Sequence, residues 1–228
     1  MSSRLIVDNA SQLRELNNQP PALKLVAKFI SYVFHPVFVP VYIILFLLYV
    51  HPTIFAGASD WEKLKVLMQA VVNYCFFPII SVLLLKAVGF IDSIFLTTKK
   101  DRIIPYAVCM IWYFWICYVW WGLPDIPKTI VKLSAGIFLA SIVGWMANIY
   151  IKISMHAIAM GVMAGFILFL TLHYPVNAGV FMSGALIITG LVCTSRLIVS
   201  DHTAGEIYGG LLAGLISSLL TAFFIMSN

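Results

Sequence analysis

The sequence predicts an all-α, polytopic transmembrane bundle of about six to seven helices. Three observations carry that expectation. The 228 residues are 62% hydrophobic and only 10% charged, a balance no soluble domain tolerates. Apolar stretches of about twenty residues recur, each long enough to cross a hydrocarbon core. The joints between them are short and polar, so the length admits one compact bundle and no separate soluble domain.

Residues 1–22 are polar, carry Arg4, Asp8, Arg14 and Glu15, and end at Pro20-Pro21. A short tail or an interfacial helix is expected there. Without a continuous apolar stretch, it does not read as a cleaved signal peptide. Residues 23–228 read as a single transmembrane domain. The first apolar segment runs from about Lys28 to Val50, and His35-Pro36 and Pro40 predict a kink or a break in it. His35 reads as a polar helix-packing residue. A loop over 51–60 leads to a second segment, about Trp61 to Val88, whose amphipathic start Trp61-Glu62-Lys63-Leu64-Lys65 suits an interface.

The polar loop 89–102 ends in Thr97-Thr98-Lys99-Lys100-Asp101-Arg102. The third segment, about Ile103 to Trp121, crowds aromatic residues near Trp120, as membrane–water boundaries do. After the turn Leu123 to Lys128 come a fourth segment (about Thr129 to Ile149), a junction at Tyr150 to Ser154, and a fifth (about Met155 to Leu172). His173-Tyr174-Pro175 turns the chain into a sixth, about Val176 to Val199. The last begins near His202 and ends near Met226. Gly205 and Gly209, and Gly210 and Gly214, are four apart and permit close helix approach, which places this helix centrally.

The net charge of +5 suits anionic lipid headgroups or a phosphorylated substrate, and no long basic run points to nucleic acid. Cys75, Cys109, Cys117 and Cys193 all fall inside apolar segments and read as core residues. The five histidines are dispersed and show no metal-ligand spacing. No cofactor motif is present.

Chemistry concentrates at three junctions: Lys99–Arg102, Lys152–His156 and Arg196–Glu206. Two segments separate the first from the second, and two the second from the third. An even number of crossings returns the chain to one face, so all three can meet at one membrane surface. The third is the densest, with Arg196, Asp201, His202 and Glu206 inside eleven positions. Such groups at a membrane helix junction are a functional hypothesis by default. If a helix begins near Asp201 or His202, Glu206 lies on the same face as His202 and can fix its tautomer. A neutral imidazole so held is a potential nucleophile, and Arg196 offers a planar fork for phosphate oxygens. A structural Arg196–Glu206 ion pair with His202 as an interface histidine would use the same residues.

Ser195-Arg196, five residues, His202, three residues, Glu206 resembles the third motif of the type 2 phosphatidic acid phosphatase (PAP2) superfamily, which reads Ser-Arg, five residues, His, three residues, Asp. Glu206 stands where the family has Asp. The second junction, Lys152-Ile153-Ser154-Met155-His156, is similar to the family's Pro-Ser-Gly-His through Ser154 and His156; Ile153 and Met155 replace proline and glycine. The family's first motif has a lysine, six residues, then Arg-Pro. Here Arg102 is followed by Pro105 three residues on, the position seven before Arg102 is Phe95 rather than lysine, and Lys99 and Lys100, close by, would take the lysine's place.

The resemblance implies a PAP2-like core and hydrolysis of a lipid phosphomonoester or diphosphate without metal or cofactor. His202 would be the nucleophile that forms a phosphohistidine, with Glu206 behind it. His156 would be the general acid. Arg196, Arg102, Lys99, Lys100, Lys152 and Ser154 would hold the phosphate. Phosphatidate, phosphatidylglycerol phosphate, an isoprenyl diphosphate and a phosphorylated lipid A all fit such a site. A bacterial inner-membrane location is expected, with membrane lipids as surroundings and oligomeric state open. Ten of the 14 Lys and Arg residues fall on the junction side. Set aside the five phosphate candidates and the count is five against four, so charge leaves the leaflet open. The departures in the second motif also fit a non-catalytic relative that binds a phospholipid or a partner protein. A transporter would need polar residues through mid-membrane, and here they gather at the junctions.

Overall fold

In the computed structural model the described residues are 5–7, 13–15, 19–91, 99–199 and 202–224, with the side chains of 5–7, 13–15 and 99–102 outside the description. The chain is helical, and among the described residues six helical stretches are long and apolar enough to cross a membrane. These are Asp60–Ala87, Ile103–Gly122, Lys128–Tyr150, Met155–His173, Ala178–Val199 and Ala204–Phe224.

Strands β1 (Leu5–Val7) and β2 (Leu13–Glu15) pair antiparallel, with Ile6 opposite Arg14. The β-branched Ile6-Val7 favours an extended chain over a helix. Helix α1 (Pro21–Val33) starts earlier than expected, with Pro21 at its first position, where a missing N–H is harmless. It stops before His35-Pro36, because proline drives the preceding residue out of helical geometry. A turn over 34–38 follows, then α2 (Val39–Leu45), which runs into a π-helical turn, Phe46–Val50. The predicted first segment is thus a surface helix plus a half-length apolar helix, tied together by the Tyr42 hydroxyl donating to the Val33 carbonyl at 2.9 Å.

Helix α3 (Asp60–Ala70) opens with a capping box. The Ser59 N–H donates to Glu62 Oε2 at 2.7 Å, and the Glu62 N–H to Ser59 Oγ at 3.3 Å. It continues through a π-helical turn, Val71–Phe76, into α4 (Phe77–Ala87). Pro78 sits just after that turn, and the widened turn relieves the clash a proline ring makes with the carbonyl four residues back. Next come α5 (Lys99–Gly122), α6 (Lys128–Tyr150), α7 (Met155–His173), α8 (Ala178–Val199) and α9 (Ala204–Phe224).

Helix α7 is the centre of the bundle, packed against α6, α8 and α9. Two-thirds of its span (67%) is buried, against 39% for α9, so the last helix is not the central one the glycines suggested. The reason lies in which glycines pack. A Cβ on Gly210 or Gly214 would strike the backbone of α7 at Ser154 or Ile158, and one on Gly161 would strike the Leu211 carbonyl. Gly209 meets nothing and Gly205 barely touches Thr203, so that pair faces outward. The aromatic cluster on α5 also divides. Trp115, Tyr118 and Trp121 are exposed as a belt should be. Trp120 is fully buried, its indole N–H donating to Gln69 Oε1 at 2.7 Å.

Candidate functional site

The second and third junctions meet. The Ser154 N–H donates to the Glu206 carbonyl at 3.3 Å, which joins the start of α7 to the first turn of α9. Close packing at Gly210 and Gly214 lets the two helix starts lie side by side. Above this contact a chamber of about 650 Å³ opens, and His156, Lys152, Arg196 and His202 all line it. Three of the five histidines border it: His35, His156 and His202. Its remaining wall is largely apolar, from α2, α4, α5, α6 and α7.

His202 lies two residues before α9, not inside it, because Thr203 is the cap. The Thr203 N–H donates to Glu206 Oε2 at 3.0 Å and the Glu206 N–H to Thr203 Oγ1 at 3.3 Å, a second capping box. The same carboxylate oxygen accepts from His202 Nδ1 at 2.9 Å. The hydrogen is therefore on Nδ1, and Nε2 carries the lone pair. Burial holds the His202 pKa below its ordinary 6.5. The Glu206 hydrogen bond opposes this, while Lys152 and Arg196 push the same way as burial. The ring is neutral near pH 7.

His156 opens α7 and is half-buried. Its Nε2 lies 3.1 Å from the Ser31 carbonyl, which can only accept, so Nε2 bears the hydrogen and Nδ1 is left for exchange. The His35 ring stands edge-on to it, with centroids 5.4 Å apart. The Val37 N–H reaches His35 Nδ1 at 3.4 Å. Burial first, and Arg196 second, hold the His35 pKa below 6.5.

The remaining expected residues fall in three places. Arg196 is on the last turn of α8 and Lys152 in the link before α7, both on the chamber wall. Ser154 is fully buried and off that wall; its Oγ accepts from the Ala157 N–H at 3.4 Å as the cap of α7. With isoleucine and methionine beside it and no glycine, the second junction is a helix cap rather than an open phosphate loop. The side chains of Lys99, Lys100 and Arg102 lie outside the described residues, as does Asp201. Pro105, Tyr106 and Cys109, on the turns of α5 that follow, line the chamber.

The sequence reading missed Lys28, Ser31 and His35, which α1 and its turn bring to the chamber. Their spacing of three and then four residues was the available signal. Among the described residues no three His, Cys, Asp or Glu side chains are grouped to hold a metal ion. Comparison with protein-family models, with curated proteins and with solved structures gives no match.

Proposed function

We propose that the chain is an integral-membrane lipid phosphatase of PAP2 type, seated in the bacterial inner membrane, which cleaves a phosphomonoester or diphosphate of a lipid. The observation that carries this reading is the convergence of His156, from the second junction, and Arg196 and His202, from the third, on one chamber, with His202 locked by Glu206 into its Nδ1–H form.

In the proposed reaction His202 Nε2 attacks phosphorus, forming a P–N bond as the P–O bond to the lipid breaks. Protonated His156 delivers the hydrogen on Nδ1 to the departing oxygen. Water then attacks phosphorus as the P–N bond to His202 Nε2 breaks, its proton going to His156 Nδ1, and inorganic phosphate leaves. Arg196 and Lys152 stabilise charge on the non-bridging oxygens, the main demand of phosphoryl transfer. Arg102, Lys99 and Lys100 belong to the same proposal through their place at the start of α5. The apolar wall below the charged rim supports a lipid substrate.

The test is phosphate release from a panel of lipid phosphates by purified protein, with and without chelator. Chelator-resistant release is expected, together with an acid-labile phosphoprotein after brief exposure to labelled substrate. His202→Ala should retain its helical content and release nothing; full turnover by that variant would falsify the assignment of the nucleophile. A non-catalytic lipid binder is favoured by one observation, the burial of Ser154 in a helix cap. It predicts retention of lipid phosphate with no phosphoprotein formed.

A further inference from the structure

The chamber has a wall that none of the three junctions supplies. We propose that Lys28, Ser31 and His35, carried by α1 and the turn after it, form a recognition strip that donates hydrogen bonds to the phosphoryl oxygens of the substrate. This deepens the phosphoryl reading of the site and rests on it.

The argument begins with Ser31. It is 7% exposed and lines the chamber, yet its Oγ has no hydrogen-bond partner. A buried hydroxyl without a partner is costly, and a ligand oxygen in the chamber would satisfy it. Its backbone carbonyl is already used, holding His156 Nε2 at 3.1 Å. Ser31 thus touches the site twice: its carbonyl positions the proposed acid, and its hydroxyl is left for what binds.

His35 points the same way. With Nδ1 accepting from Val37, the neutral ring carries its hydrogen on Nε2. Burial and Arg196 keep it neutral at pH 7, so it offers a donor without adding a third positive charge beside Arg196 and Lys152. Its edge-on contact with His156 puts it within a ring's width of the proposed proton donor. Lys28, an exposed residue on the chamber rim one turn before Ser31, adds a cation at the mouth, where a phosphate arriving from the headgroup layer first meets the protein. Neither Ser31 nor His35 belongs to a cationic junction, and neither is explained by core packing alone.

The experiment uses full-length protein in nanodiscs, with ¹⁵N-labelled histidine, titrated with inorganic phosphate and separately with a lipid phosphate in the disc. The His35→Asn variant assigns its resonances. Phosphate should shift the His35 Nε2 signal together with those of His156 and His202. Ser31→Ala keeps the carbonyl and hence the His156 contact. It should weaken phosphate binding and raise KM roughly tenfold, the size of one hydrogen bond to a charged group, with kcat nearly unchanged. His35→Asn, which retains a donor, should recover more affinity than His35→Ala. Shifts with the lipid phosphate alone would assign the strip to the headgroup of the intact lipid; shifts with both ligands would assign it to the phosphoryl group itself.

If phosphate moves His156 and His202 but leaves His35 in place, and Ser31→Ala binds like the parent, the strip is overturned while the phosphatase reading survives. If phosphate moves His35 but no lipid phosphate is turned over, the strip stands and hydrolysis falls. Absence of any histidine shift with either ligand overturns the strip.

Discussion

At the scale of single residues, one carboxylate holds both the proposed nucleophile and a helix start. Glu206 Oε2 accepts from both His202 Nδ1 and the Thr203 N–H, so the side chain that would tune the nucleophile is also part of the helix cap. Glu206→Gln separates the two duties. The amide oxygen in the same place still caps α9 and still accepts from His202 Nδ1–H, but a neutral amide no longer stabilises positive charge on the ring. Turnover should fall by roughly 10²–10⁴-fold with little loss of stability, read from phosphate release and thermal unfolding of the same preparation.

The pH dependence follows from the lowered His202 value. A histidine whose folded pKa lies below 6.5 binds fewer protons than the unfolded chain, so the native state is disfavoured as pH falls below 6.5 and unaffected above it. In the proposed reaction, attack needs the neutral ring. The acid limb of kcat/KM should therefore fall below pH 6.5, and Lys152→Met, which removes a repelling cation, should move it upward. A limb that stays put in that variant would argue against Lys152 facing the ring.

How far this site could be read from sequence depends on how local each contact is. Arg196, His202 and Glu206 fall within eleven residues, and their spacing alone suggests the pairing that the structure shows between the last two. The contact of His156 with Ser31 spans 125 residues and follows no periodicity. His35 therefore read as a packing residue, since nothing near it in the chain shows that His156 comes to stand beside it. Ser154 went the other way. A serine just before an apolar run serves equally as a phosphate ligand or a helix cap, and only the fold shows the cap.

At the scale of elements, α7 and α9 hold the site together because glycine lets their backbones touch. The six long spans were legible from apolar length, which is also what the bilayer selects. The centrality of α9 was misjudged because spacing does not say which glycines face a neighbour. Gly214→Ala would drive a Cβ into the Ile158 carbonyl, backbone against backbone, with no flexible side chain to yield. It should destabilise by about 1–3 kcal/mol, as overpacking does, and loosen the Ser154–Glu206 link. Gly209→Ala, facing open space, should be neutral or slightly stabilising in the same unfolding assay. Thr203→Ala removes one arm of the second capping box and should cost about 1 kcal/mol.

At the scale of the whole molecule, the chamber joins two solvents. Its charged rim sits at the helix junctions, where headgroups lie, and its apolar wall descends along α5 from Pro105 to Tyr113, about 12 Å at the helical rise. That reaches nearly half the depth of a hydrocarbon core of about 30 Å. Tyr32 on α1 and Ile79 and Leu83 on α4 border the chamber and are exposed, so the chamber is not sealed along these two helices. On the proposed lipid phosphatase reading, a substrate would enter from the membrane with its phosphate at the rim and its chain in the well. Ala140, buried on α6, lies on the deep wall next to Ile137. Ala140→Phe would fill that end without touching His156, Arg196 or His202. Phosphate release from long-chain substrates should drop several-fold through KM, while release from a short-chain phosphate stays near the parent's. Equal losses on both would mean that the substituted ring disturbs the rim, and no loss on either would mean that the chain stays in the bilayer and only the phosphate enters the protein.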